Sequence, residues 1–195
     1  DSKLLLAQDA GGFTATHADG ATERYDTNGR LLHETDAAGR ATSYGYNGAN
    51  QLIGITGPYG HALSLTYDTA GHISQITLPG GQVLGYQYTA VGSRYNLTGV
   101  TYPDATAKRY HYENASFPHH LTGISHVEAN GTTTRYGTYS YDTNGKAITT
   151  EHAGGQERFT LTYNSDTQTT VTDAAGTQEV LTFALNLGVK NLIAK

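Results

Sequence analysis

The chain has 195 residues, enough for one sizeable domain or for part of a larger repeated structure. Twelve Lys and Arg against seventeen Asp and Glu leave a net charge of −5, which argues against nucleic acid and anionic membranes as partners, since both want a basic face. There is no Cys, so disulfides, thiolate metal sites and cysteine nucleophiles are excluded, and Gly (24) with Thr (30) fill 54 positions, which excludes a helical bundle because both are poor helix formers.

Met is also absent, so the chain is expected to be a piece of a longer protein. Residues 1–12 read as an N-terminal flank. Their apolar stretch, Leu4-Leu5-Leu6-Ala7, is too short for a signal peptide, and no run anywhere approaches the roughly 18 residues of a membrane helix. From residue 13 to 183 the chain repeats itself. A Tyr followed by a polar or acidic residue recurs at Tyr25-Asp26, Tyr46-Asn47, Tyr67-Asp68, Tyr88-Thr89, Tyr112-Glu113, Tyr141-Asp142 and Tyr163-Asn164. The spacing is 21 residues three times, then 24, 29 and 22. Four positions after the Tyr stand Gly29, Asn50, Gly71, Gly92 and Gly145, residue types that tolerate positive φ. Six positions after it stand Leu31, Leu52 and Ile73, while Leu97 and Leu121 come three residues later still.

Each unit reads as two short strands and two turns. Leu63, Leu65 and Tyr67 alternate with Ser64, Thr66 and Asp68, the pattern of a half-buried strand. The Asp-x-x-Gly that follows is turn chemistry, because the carboxylate accepts nearby backbone N–H groups and Gly supplies the left-handed residue. Turns are therefore expected near Asn28-Gly29, Ala70-Gly71 and Asn144-Gly145. Ile73 and Ile76 then stand three apart, which breaks alternation unless a bulge lies beside the turn. Residues 184–195 form a C-terminal flank. Two strands in each of about seven units give roughly 12 to 14 antiparallel strands, and sheets beyond about 10 curl or split. The expected fold is all-β, a curled antiparallel sheet with unpaired edges open to self-association. Leu181 to Leu185, apolar, uncharged and free of Pro, has the character of such an edge.

The recurring Tyr and carboxylate groups admit two readings. Aromatic faces stack on sugar rings and acids bind hydroxyls, which makes a carbohydrate- or cell-surface-binding module the alternative function. In the preferred reading Tyr packs across strands and Asp closes the turn, since turn residues answer to backbone need. Tyr67 is thus expected on a packed face and His120 at the surface. Among nine histidines, His111, His119, His120 and His126 are the densest group, yet none has metal-ligand spacing. No Gly-x-Ser-x-Gly elbow or phosphate loop is present, and the three glycosylation-like triplets at Asn96, Asn114 and Asn130 recur by chance. No catalysis, metal or cofactor is expected.

Tyr25-Asp26-Thr27-Asn28-Gly29-Arg30-Leu31 followed by Asp36-Ala37-Ala38-Gly39-Arg40 resembles the YD repeat of bacterial Rhs (rearrangement hotspot) proteins. Phe117-Pro118-His119-His120-Leu121-Thr122-Gly123-Ile124 resembles the Rhs core more specifically. The resemblance implies a segment of a hollow β-shell that encloses a variable C-terminal toxin for delivery to neighbouring cells, often by type VI secretion. Its partners would be the remainder of the shell and the enclosed toxin, without nucleic acid or membrane insertion. The protein would be made in the cytoplasm of a bacterium and exported. The four prolines follow Gly57, Leu78, Tyr102 and Phe117, so the Asp-Pro on which the family's self-cleavage motif is built is missing, and that activity is not expected.

Overall fold

A single kind of turn, used eleven times, organises the described residues, 4–195 of a computed structural model. In each, the first residue donates its N–H to the carbonyl four positions on, and the residue three positions on donates back to the first carbonyl, as Asp26 does with Arg30 and Gly29. This is a tight hairpin loop whose last residue is left-handed and forms a bulge. That last residue is Gly at nine of the eleven turns, Asn50 (φ 65°) and Ala105 (φ 65°) being the others. The turns near Asn28-Gly29, Ala70-Gly71 and Asn144-Gly145 fall where the spacing places them.

The chain divides into two units, one ending at Gly85 and one running Tyr86–Lys195. The first holds β1 (Leu5–Asp9), β2 (Gly12–Thr16), β3 (Thr22–Tyr25), β4 (Leu31–Thr35), β5 (Ala41–Tyr46), β6 (Leu52–Thr56), β7 (Ala62–Tyr67), β8 (Ile73–Thr77) and the start of β9 (Val83–Val91). The second holds the rest of β9, then β10 (Arg94–Thr101), β11 (Ala107–His111), β12 (Gly123–Val127), β13 (Thr133–Tyr141), β14 (Ala147–His152), β15 (Gln156–Ser165), β16 (Gln168–Thr172), β17 (Gln178–Asn186) and β18 (Val189–Ala194). Each strand pairs antiparallel with the next in sequence, and the eighteen belong to one sheet. Among the described residues β1 pairs with β2 and β18 with β17, so the sheet is not closed.

Eighteen strands exceed the 12 to 14 expected, because the Tyr signature marks only part of the meander. The Asp173-Ala174-Ala175-Gly176 hairpin follows Thr172 instead of Tyr, and the two flanks add β1 and β18. Leu181 to Leu185 is not an edge either. It lies in β17, where Leu181 and Thr182 pair with β16, the Phe183 N–H reaches the Thr167 carbonyl, and Thr182 to Leu185 pair with β18.

The expected bulge is present and it recurs. Tyr67 faces Ile73 while Thr66 faces Gln75, which leaves Ser74 as the extra residue. The same step separates Tyr25/Leu31 from Arg24/His33, Tyr46/Leu52 from Gly45/Gly54, and Tyr141/Ala147 from Ser140/Thr149. It restores alternation, since Leu65 then faces Ile76 and all four apolar partners share one side. In the first unit that side carries Tyr44, Tyr46, Ile55, Leu63, Leu65 and Tyr67, and the other carries Ser43, Gly45, Gly54, Ser64 and Thr66. In the second unit Tyr139, Leu161, Tyr163 and Val171 lie opposite Ser140, Thr149, Thr160 and Thr162 in the same way. No large side chain is completely buried among the described residues; Ala15, Val100 and Ala107 are the buried apolar ones. Stability therefore rests on neighbouring strands and cross-strand pairs, without a conventional core.

Candidate functional site

The tyrosine that marks each unit acts through its hydroxyl. Tyr46 donates to the Leu31 carbonyl (2.9 Å), Tyr67 to Leu52 (2.7 Å), Tyr112 to Leu97 (3.1 Å), Tyr141 to Leu121 (2.7 Å) and Tyr163 to Ala147 (2.7 Å). Each acceptor belongs to the preceding unit. Leu31, Leu52 and Ala147 sit at its bulge, two positions before the ladder to the following strand begins. The bulge leaves a carbonyl without a ladder donor, and the next tyrosine supplies one. Burial pushes the Tyr112 and Tyr141 hydroxyls above their usual pKa, so they stay protonated donors. Tyr25, in the first unit, bonds instead to Glu23.

The residue after the tyrosine holds the turn. Asp68 Oδ1 accepts the N–H groups of Ala70 and His72, both at 2.9 Å, and Asp26, Asp36, Asp142 and Asp173 repeat the arrangement. Asn47 does the same with its amide oxygen, bonding Ala49 and Gln51. The backbone N–H of Arg30, Arg40 and His72 is the foremost reason that Asp26, Asp36 and Asp68 titrate below the usual carboxylate range. The residue closing the turn then reaches into the next unit. Arg30 lies 5.2 Å from the Tyr46 ring and Lys146 4.9 Å from the Tyr163 ring, while Arg30 Nη1 also bonds Asn50 Oδ1 at 2.6 Å.

Gly29, Gly71 and Gly145 are the left-handed residues of these turns; Gly92 (φ 60°) has that role between β9 and β10, and Ile73 is the bulge partner of Tyr67. Tyr88 lies in β9. Glu113 departs from the pattern. It closes no turn, and its carboxylate instead takes a two-pronged bond from Arg135, both prongs at 2.9 Å. Arg135 is the foremost reason the Glu113 carboxyl titrates low. Thr122 joins them by accepting the Glu113 N–H and giving its own carbonyl to Arg135 Nη2 at 2.7 Å.

Beside this network lies the segment that lengthens the interval between Tyr112 and Tyr141. Asn96 is buried at 6% exposure and ties the segment down, donating to the Pro118 carbonyl (2.8 Å) and meeting His119 Nδ1 (2.7 Å). His120 stacks on Phe117 with centroids 4.8 Å apart and leans on Tyr141 at 4.6 Å. His119 and His120 thus stand in a loop, where one is bonded and the other is stacked; the surface position expected for His120 is corrected by these contacts. The Phe-Pro-His-His run was the one sequence signal for this site. Asn96 and Arg135 carried none.

The chemistry open to the network is limited. His111 Nε2 is 2.7 Å from Ser125 Oγ and its Nδ1 is 3.9 Å from Glu113 Oε1, the order of groups in a hydrolytic triad. Ser125 is only 2% exposed, however, so its hydroxyl cannot meet a substrate carbonyl, and Glu113 is already committed to Arg135. An open cleft of about 460 Å³ beside Glu113 and Arg135 offers a guanidinium that is likewise neutralised. Among the described residues no three His, Asp or Glu side chains form a metal cluster, and no helix is long and apolar enough to cross a membrane.

Comparison with known proteins follows the same lines. The family model described as Teneurin YD-shell matches residues 9–191. No curated protein matches the chain. Among solved structures, the TcdB2-TccC3 crystal structure without its hypervariable C-terminal region aligns with a TM-score of 0.62 and 19% identity, over 96% of this chain and 12% of that one. A Photorhabdus luminescens Tc holotoxin pore carrying a TccC3 mutation aligns at 0.44 and 14% identity, over 98% of this chain and 16% of that one. The first likeness is one of fold and the second is too weak to argue from. The chain spans about an eighth of the first of these structures.

Proposed function

The chain belongs to the Teneurin YD-shell family, and from that membership we propose that it is a stretch of shell wall, part of a larger protein whose shell encloses a toxin polypeptide and is exported with it. The role is structural. The observation that carries this reading is where the recurrent polar groups are spent. Five tyrosine hydroxyls close carbonyls of the preceding unit, and the turn carboxylates close their own backbones. A sugar-binding wall needs those same donors and acceptors free, so the geometry favours a wall over a lectin. The neighbouring shell segments and the enclosed C-terminal toxin are the proposed partners, and delivery to other bacterial cells is the proposed use.

Limited proteolysis of the protein encoded by the full reading frame tests this. The segment downstream of the repeats should resist protease while the repeat region is intact and become sensitive once residues 13–183 are deleted. Equal sensitivity in both forms would remove the enclosing role. Saturable binding to a glycan array by the intact chain would favour the carbohydrate reading instead.

A further inference from the structure

We propose that Asn28 is a modification site, where the chain deamidates itself through a cyclic imide, and that the loop carrying Phe117 and His120 shields the matching Asn144 from the same reaction. The inference goes beyond the wall reading and does not rest on it. Four Asn-Gly pairs are present, at Asn28, Asn47, Asn130 and Asn144. A glycine after asparagine leaves the following amide nitrogen least hindered, since no Cβ opposes its approach to the asparagine side chain. In the reaction the Gly29 nitrogen bonds to Asn28 Cγ, the Cγ–Nδ2 bond breaks, and Nδ2 leaves as ammonia with the Gly29 amide proton. Water then opens the imide. Entering at Cγ it leaves aspartate; entering at the main-chain carbonyl it leaves isoaspartate, whose main chain is one carbon longer. One water is consumed, one ammonia is released, and nothing is oxidised or reduced.

The structure separates the four positions. Asn47 is held at both ends of its amide, with Oδ1 accepting the N–H groups of Ala49 (3.0 Å) and Gln51 (2.9 Å) and Nδ2 donating to Gln51 Oε1 (2.9 Å). Asn130 Oδ1 accepts the Thr132 N–H at 2.9 Å. Among the described residues nothing bonds the side-chain amides of Asn28 and Asn144, and both residues are exposed. These two share the run Tyr-Asp-Thr-Asn-Gly and the same turn. Asp26 and Asp142 each accept the Asn N–H at 2.8 Å and the N–H two positions further on at 2.9 Å, and each Gly N–H reaches the acid's carbonyl at 3.1 Å. Local sequence and turn geometry therefore cancel between them, and the surroundings decide. A Cβ built on Gly29 would meet nothing within 4 Å, whereas one on Gly145 would stand 2.8 Å from His120 Cε1 and 3.2 Å from Phe117 Cε1. The attack requires the Asn-Gly peptide to swing out of its turn. At Gly29 it swings into open space; at Gly145 the stacked rings of Phe117 and His120 lie in the way, and His120 must first leave Phe117 and Tyr141. Giving up those ring contacts slows the reaction at Asn144 by about tenfold. The modified hairpin gains a negative charge beside Asp26, and isoaspartate lengthens a loop whose left-handed Gly29 must fall at one fixed place.

Peptide mapping of the protein encoded by the full reading frame tests this. The protein is warmed in mildly alkaline buffer made with heavy-oxygen water, and the peptides spanning residues 28 and 144 are followed by mass spectrometry. Position 28 should convert about tenfold faster than position 144, to a mixture of aspartate and isoaspartate carrying one heavy oxygen. In urea the two positions should convert alike, because their local sequences agree. Equal rates in the folded protein would overturn the proposal, as would faster conversion at 144 or none at 28. His120→Ala, checked by circular dichroism against the parent, should raise the rate at 144 towards that at 28 and leave 28 unchanged. An unchanged rate at 144 in that folded variant would overturn the shielding. The two positions of the parent decide the matter even where the variant does not fold.

Discussion

Tyr67 illustrates how one side chain serves two units. Its ring lies on the apolar side of the sheet across from Ile73, and its hydroxyl reaches the Leu52 carbonyl 15 residues back. The two roles separate by substitution. Tyr67→Phe keeps the ring and leaves the carbonyl without its donor, an expected loss of about 1 kcal/mol. Tyr67→Ala removes the ring as well and should cost about 2–5 kcal/mol. Urea midpoints for the two variants check the order, and equal midpoints would mean that the hydroxyl carries everything. The carboxylates that hold the turns predict an acid response. Asp26, Asp36 and Asp68 have folded pKa values below the ordinary 3.8, so the folded state binds fewer protons than the unfolded one once pH approaches that value. Their contribution is complete above it and is lost as pH falls through the folded values. Asn47 already holds the same turn without a charge. The triple change Asp26→Asn, Asp36→Asn, Asp68→Asn should therefore keep the fold and flatten the fall in melting temperature between about pH 5 and pH 3. A parallel fall in variant and parent would show that other acids set the response.

At the scale of the element, legibility followed the backbone. A hairpin that needs a left-handed residue at a fixed place must repeat it, so the 21-residue interval and its glycines predicted the turns of β3–β8 directly. The bulge could be anticipated from Ile73 and Ile76, because a broken alternation has few physical causes. The tyrosine hydroxyl's partner could not. It is a main-chain carbonyl, which every residue possesses and no sequence distinguishes. The loop before β12 was obscure for a related reason: its position depends on Asn96, which lies in an earlier strand and whose sequence context gives no hint of that role. Asn96→Ala should leave the Pro118 carbonyl and His119 without partners and cost about 1–3 kcal/mol. His120→Ala should be costly as well, by about 0.5–1.5 kcal/mol for the lost ring contacts with Phe117 and Tyr141. Denaturation midpoints unchanged in both variants would mean that the loop is held elsewhere.

For the molecule as a whole, the consequence of a meander is that each strand depends on its immediate neighbours. A polypeptide of this kind behaves as a one-dimensional array, in which stability is a sum of local terms and nearest-neighbour terms. Among the described residues the interior strands have a neighbour on each side, and β1 and β18 have one. The apolar groups of β1 and β18 are also exposed, so little burial opposes their opening. Local opening should therefore be easiest at the two ends of the strand order. Amide hydrogen exchange followed by mass spectrometry should find β1 and β18 least protected at high dilution, with protection rising through β2 and β17 to the interior strands of each unit. Uniform protection along the chain would show that it unfolds as one cooperative block, and the nearest-neighbour description would then have to be abandoned.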